Sequence, residues 1–497
     1  MVHRKDIKDR GNKGTGGQMS DKKLRIAYSA EDWCKKGTKA LENAKPADAL
    51  YAFEKAVSMK ADMIEAWMGK IMTLDAMQKY DDEIAAIDTL IRKGHENWLL
   101  LMTKGTALLH NRQIDEALAT YEKVIEMHPD SADAWVGKAS ALQLADKDQE
   151  ALDAYEHAIK LDPKSSEVYH DKGIILNKMH RYHDAIDVFE HAVKLRNDDA
   201  DSWFEMGGAY FELKQYNEAC KYFDKALSLD PEFDQAILNK SIALAAAGET
   251  EQALHIINDA LKIYPDIAEM WIQKGMLLIE TEKYNESLKA FQHALRIDPD
   301  FEEAHLHKGF ALRNLNRMDE AISSFEKVIE LNPANSQAWT NIAFCYIEQE
   351  KIEEAFKAFD TAVELDPDNE GTHVARASLM GMCGEYRTAL AEVEEALQQI
   401  PNSTELLYLR GVMNFHLNKD AESLNDFKKA LDIEPSNAKA WYLRAVVYSS
   451  TGDNEKALIC LKNAIEIDSL FKEDAAENED FVRLRTDARF VELIKMK

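Results

Sequence analysis

Cysteine, proline and positive charge are all scarce in this sequence. Five cysteines, Cys34, Cys220, Cys345, Cys383 and Cys460, are scattered over 497 residues with no C-x-x-C pair. Their odd number and wide spacing speak against a disulfide or zinc framework and fit buried thiols in a reducing, cytoplasmic setting. Against 89 Asp and Glu stand 61 Lys and Arg, a formal charge of −28. That balance argues against nucleic acid as the main partner, because duplex binding draws on phosphate neutralisation. Solubility alone accounts for such a charge, and basic or neutral peptide segments are the partners it would favour. Long apolar runs are missing too. Stretches such as Trp98–Met102 are far too short to span a bilayer, so no membrane insertion is expected. The opening residues, MVHRKDIKDR, contain no apolar stretch of the secretory kind.

The few prolines are not scattered. Nine of ten, Pro129, Pro163, Pro231, Pro265, Pro299, Pro333, Pro367, Pro401 and Pro435, are separated by multiples of 34 residues, and Asn197 fills the one gap. Seven of eight tryptophans keep a second phase of the same period: Trp33, Trp67, Trp135, Trp203, Trp271, Trp339 and Trp441. Two residue types in one frame define a repeat, and a period of this length is that of stacked helical hairpins. Thirteen units begin at Ala30, Ile64, Trp98, Ala132, Ser166, Ala200, Asp234, Ala268, Glu302, Ser336, Glu370, Thr404 and Ala438.

Within each unit, positions 4, 8 and 11 share one face of a first helix, and positions 20, 24 and 27 share one face of a second. Position 8 is Gly or Ala in most units, position 20 is Ala in ten, and position 24 is aromatic in nine, Phe53, Tyr121, Phe189, Phe291, Phe325 and Phe427 among them. Short side chains let two helices approach, and the aromatic fills the space beside them. Proline at 32 ends the second helix. Ser131, Ser165, Asp199, Asn335, Ser403 and Asn437, at position 34, are expected N-caps. The second unit departs from the pattern, with Glu83 at the small position 20, and a distorted hairpin is expected there.

Ala200–Phe233, ADSWFEMGGAYFELKQYNEACKYFDKALSLDPEF, carries Trp203, Gly207, Tyr210, Ala219, Phe223, Ala226 and Pro231. Those residues at those spacings closely resemble the tetratricopeptide repeat, and the resemblance covers about nine-tenths of the chain. It implies an all-α, right-handed superhelical solenoid of about 13 tandem helix-turn-helix repeats with a C-terminal capping helix. Residues 1–25, polar and containing GNKGTGG, read as a flexible basic tail, and Met19 within it is an alternative start. Residues 26–471 form the solenoid. Residues 472–497, with Phe481, Leu484, Phe490, Leu493 and Ile494, resemble the segment that often closes such arrays. A cap is required because the last repeat would otherwise expose its stacking face.

Catalytic patterns are absent from the sequence: it has no Gly-rich phosphate loop, no G-x-S-x-G and no H-E-x-x-H. His170, His180, His183 and His191 lie close in sequence but lack the companions of a metal site, and His305 and His307 read as ordinary helix residues. The expectation is a non-enzyme with no cofactor and no metal. The two-carboxylate clamp of certain co-chaperones is unmatched, since Phe204 and Gly208, or Leu306 and Phe310, stand where it needs Lys and Asn.

Positions 5, 9 and 12 share a face turned away from the 4/8/11 stripe, and the resemblance implies that this face lines a concave groove. Repeats 6–10 place Phe204, Leu238, Ile242, Ile272, Met276, Ile279, Leu306, Phe310, Phe344 and Ile347 there, rimmed by Asn239, Gln273, His307, Arg313 and Asn341. Two readings stay open: an exposed trough for peptide or helical segments, or packing between neighbouring first helices. Position 7 is basic in eleven repeats, as in Lys70, Lys104 and Arg376, and is expected to form a structural ladder with nearby carboxylates. The function expected is a protein-interaction scaffold binding peptide or helical segments, with self-association through terminal repeats as a further option. Its alternatives are the recognition arm of a transferase or protease complex with a separate catalytic subunit, and a co-chaperone lacking the clamp.

Overall fold

The computed structural model describes residues 28–495, so the expected tail and Met19 lie outside the described residues. The described chain is all-α. Helices of 13 or 14 residues follow in pairs, from Ala30–Glu42 and Pro46–Met59 to Ala438–Thr451 and Asn454–Ile467, in the frame that the prolines and tryptophans set. The chain divides into two compact units, one ending at Gln215 and the other beginning at Tyr216.

Both units are built alike. In the first, Ala30–Glu42 packs on Pro46–Met59, and both pack on Ile64–Ala76 of the next repeat. In the second, Glu302–Asn314 packs on its partner Met318–Leu331 and on the first helices of the repeats before and after it. Where position 24 carries a ring, the ring sits in the core of the hairpin: Phe189 in the first unit and Phe291, Phe325 and Phe427 in the second are fully buried. A Cβ added to Gly173 would lie 2.5 Å from the ring of Phe189, and one on Gly309 would lie 2.5 Å from Phe325. In the repeats with glycine at position 8 the ring occupies the space a side chain would take, and where Ala139 or Ala343 stands there the ring of Tyr155 or Phe359 is buried as well.

The turn between the two helices depends on backbone shape. Position 15 adopts a left-handed φ in Ala44, Gln78, Arg112, Asp146, His180 and Lys214 of the first unit, and in Glu282, Asn316, Glu350 and Asn418 of the second, with Gly248, Gly384 and Gly452 in the same place. The next amide then reaches back five residues, Lys45 N to Ala40 O at 2.9 Å and Lys351 N to Tyr346 O at 2.8 Å, which satisfies a helix-end carbonyl. Of the expected N-caps, Ser131, Asn335, Ser403 and Asn437 accept from the backbone. Ser165 and Asp199 do not. Asp199 is diverted to the Ser202 hydroxyl, at 2.6 Å, and to Arg196.

In the second repeat the size pattern inverts. Ile71 takes position 8 and Glu83 position 20, and both are buried. Glu83 Oε2 has no hydrogen-bond partner among the described residues. Burial, with Asp75 nearby, pushes its carboxyl up to about 7.

After the last hairpin come Phe471–Glu477, a 3-10 turn at Glu479–Phe481, and Ala488–Lys495. Phe481, Leu484 and Phe490 bury themselves against Tyr442, Val446, Leu458 and Leu461. Ser449 Oγ donates to the Asp480 carbonyl at 2.7 Å, and Arg489 grips both oxygens of Glu455 at 2.8 Å. The apolar face of the final repeat is thus closed from within the chain.

Candidate functional site

The face of positions 5, 9 and 12 can be followed through the second unit. Leu238, Asn239 and Ile242 on Asp234–Ala246 are half-buried, as are Met276 and Ile279 on Ala268–Glu280. So are Leu306, His307, Phe310 and Arg313 on Glu302–Asn314, and Asn341, Phe344 and Ile347 on Ser336–Glu348. Ile272 and Gln273 are buried outright. Phe204 lies on Ala200–Glu212 of the first unit and is half-buried.

The strip is therefore half-buried for most of its length, with both packing and surface on the same face. First helices of adjacent repeats touch, so part of this face is spent on stacking. Gln273 Nε2 donates to Ser241 Oγ of the preceding repeat at 3.3 Å, and Leu306, Phe344 and Ile347 pack against a core containing Leu312, Ile342 and Phe359. Ile272 apart, the other side chains of this face are each partly covered and partly at the surface. His307 stacks on Phe291 and lies 3.7 Å from Glu303.

Arg313 is the most constrained polar group on this face. Its guanidinium carbon lies 5.2 Å from the ring centroids of both Phe310 and Phe344, and Nη1 donates to Asn341 Oδ1 at 3.1 Å. It opens into a recess of about 460 Å³ lined also by Asn314, Asn316, Met318 and Glu348. Sequence reasoning placed Arg313 on the rim. Only the fold brings the two rings to it from successive repeats.

Six of the basic residues of position 7 form ion pairs with carboxylates sixteen residues earlier, on the second helix of the preceding repeat, whereas Arg410 pairs with Asp426 of its own repeat. Lys70 meets Glu54 at 3.1 Å, Lys104 meets Asp88 at 2.6 Å, Lys138 meets Glu122 at 2.9 Å and Lys172 meets Glu156 at 3.2 Å. In the second unit Lys240 pairs with Asp224 and Arg376 with Asp360. The lysine stems are largely covered while the carboxylates stay half-exposed, as expected of amphipathic side chains bracing a repeat interface.

Three of the four clustered histidines, His170, His180 and His191, have structural partners. His191 stacks on Tyr169, His180 hydrogen-bonds Tyr182 at 2.7 Å, and His170 bonds Ser202 at 2.8 Å. His305 is not the ordinary helix residue expected: Nε2 bonds the Pro299 carbonyl at 2.9 Å, the place tryptophan holds in other repeats. Burial lowers its pKa. Burial also pushes the Cys345 thiol up to about 11, which leaves it protonated and unreactive at neutral pH. Among the described residues no group of three His, Cys, Asp or Glu could hold a metal ion, and no helix is long and apolar enough to cross a membrane.

Models of the tetratricopeptide repeat match residues 102–166, 238–302 and 384–438, residues 200–233, and residues 154–187 and 427–459. A model described as Psidin, N-terminal TPR repeats region, matches residues 276–380. No curated protein matches the chain. Among solved structures the chain is similar to one described as the APC/C hetero-tetramer Cut9-Hcn1, at 14% identity over 95% of this chain and 96% of that one, with a TM-score of 0.41. It is also similar to a tetratricopeptide repeat protein of Parabacteroides merdae, at 19% identity over 50% of this chain and 98% of that one, with a TM-score of 0.41. The match at 200–233 falls on the unit whose Trp203 and Pro231 belong to the register of the whole array. The chain belongs to the tetratricopeptide repeat family.

Proposed function

We propose that this protein is a non-catalytic interaction scaffold that docks peptide or helical segments of partner proteins on the floor formed by the first helices of repeats 7–10. The observation that carries the reading is the half-buried row Leu238, Ile242, Met276, Leu306, Phe310 and Phe344, bordered by Asn239, His307, Arg313 and Asn341. An apolar floor with a few fixed polar groups is how a helix or extended segment is recognised on a preformed surface. Repeat arrays suit this role because their surface grows with each unit while the core stays local.

A displayed library of short random peptides, selected on the full chain, tests the proposal. The recovered peptides should lose binding to Phe310→Asp, while the melting transition of that variant stays close to the wild type. Phe310 is half-buried, so an aspartate there can reach water. Peptides that bind Phe310→Asp as well as the wild type would place docking elsewhere on the array.

A further inference from the structure

We propose that Arg313 anchors a carboxylate carried by the docked partner polypeptide, and that Phe310 and Phe344 receive the apolar side chain beside it. This rests on the docking role above and adds the chemistry of what docks.

The guanidinium is held in place before any ligand arrives. Two rings stand 5.2 Å from its central carbon. Asn341 accepts from Nη1 with its oxygen and is turned that way because its own amide donates to the Gln337 carbonyl at 2.8 Å. Phe344 is held edge-on by buried Phe359, with centroids 5.8 Å apart. Among the described residues no carboxylate pairs with Arg313. On the repeats that follow, by contrast, Arg376 holds Asp360 and Glu392, and Arg410 holds Asp426. Those arginines are structural and their charge is spent within the fold.

An oriented guanidinium keeps a flat fork of donors, and a carboxylate matches that fork with two parallel bonds. The recess of about 460 Å³ has room for a side chain or chain end and its apolar neighbour. Glu348 lines the same recess, and the chain carries a formal charge of −28. Both disfavour a doubly charged phosphate or an acidic tract. They favour a single carboxylate within an otherwise neutral or basic segment.

The probe is the same displayed library, selected on the full wild-type chain. The expected winners carry one Asp, Glu or free C-terminal carboxylate next to an apolar residue. Replacing that carboxylate by its amide should weaken binding to the wild-type chain about tenfold to a hundredfold, the range of a charge-assisted bidentate contact. The same replacement should have no further effect on Arg313→Gln, and Arg313→Lys should recover only part of the loss. Because the amide series leaves the protein untouched, a fold defect in the variants does not blur the answer. Peptides that need Phe310 yet tolerate both the amide and Arg313→Gln overturn the carboxylate anchor and leave the docking floor standing. Peptides indifferent to Phe310 overturn the docking floor itself. Selection of peptides that lack any carboxylate, or recovery of no binder, also overturns the anchor.

Discussion

His373 bonds the carbonyl oxygen of Pro367 through Nε2 at 2.9 Å. The same six-residue reach joins Trp67 to Ala61 at 2.9 Å, Trp271 to Pro265 at 2.8 Å, Trp441 to Pro435 at 3.0 Å and His305 to Pro299 at 2.9 Å. In these repeats position 4 carries a flat ring with an N–H aimed at the turn between repeats, where a carbonyl lies beyond the end of the second helix, although Leu101, Tyr169, Ile237 and Leu407 hold the same position without one. Tryptophan supplies that donor, and so does histidine. The two histidines differ in their second nitrogen. His305 Nδ1 is buried without a partner among the described residues, whereas His373 Nδ1 lies 2.8 Å from Glu392, itself held by Arg376.

The hydrogen bond to Glu392 raises the pKa of His373. A histidine whose folded pKa exceeds its unfolded value of about 6.5 contributes stability that is complete below that value. The contribution is lost as pH rises through the folded pKa. Amides of Tyr386–Gln399 should accordingly be better protected from hydrogen exchange at pH 6 than at pH 8, after correction for intrinsic rates. In His373→Gln, which keeps a donor but does not titrate, that difference should disappear. An unchanged difference would assign the effect to another group.

Gly275→Ala should destabilise the eighth repeat. The new Cβ would stand 2.5 Å from Cε1 of Phe291, a fully buried ring that would have to shift. Overpacking of this kind costs about 1–3 kcal/mol, against a helix-propensity gain of about 1 kcal/mol. Gly371→Ala, where the nearest atom is a side-chain oxygen at 3.4 Å, should leave stability unchanged or raise it by up to about 1 kcal/mol. Urea titration followed by helical ellipticity separates the two, and equal effects would mean that the ring is not what forbids a side chain.

Glu83→Gln should stabilise the chain at pH 8 and make little difference at pH 4. The folded carboxyl titrates at about 7, above its ordinary 4.5, so the folded state binds a proton that the unfolded state gives up. Stability falls as pH rises between those values, by at most about 3 kcal/mol. Hydrogen exchange in Ile64–Ala76 and Tyr80–Arg92 as a function of pH reports the effect locally. A pH-independent gain would mean that Glu83 is charged throughout.

Much of this architecture is legible in the sequence because a repeat writes each packing rule thirteen times. Gly275 beside Phe291, or Ala185 beneath Phe189, is a local size constraint, and local constraints recur at fixed spacing. Phe481, Leu484 and Phe490 are legible for a related reason, since an array must end in something that covers its last face. The ladder from Lys70 to Glu54 is legible as periodic charge, although only the stacked repeats show which carboxylate each lysine meets.

The turn at position 15 hides its geometry, because ten residues of eight different types are carried there in a left-handed backbone that glycine marks in only three repeats. Helix-to-helix stacking enforces that conformation over the preference of Ala44 or Glu350, so composition does not report it. The exposure of the face of positions 5, 9 and 12 is hidden for a different reason. Leu238 and Ile272 look alike in the repeat frame, yet one is half-buried and the other buried, since exposure depends on the neighbouring repeat and not on spacing. By itself the sequence determined the period, the hairpin cores and the cap, all matters of residues close along the chain. The tertiary structure alone decided which groups on the shared face stay open, and it set Arg313 among Phe310, Phe344 and Asn341, because those contacts join helices that meet only once the repeats have stacked.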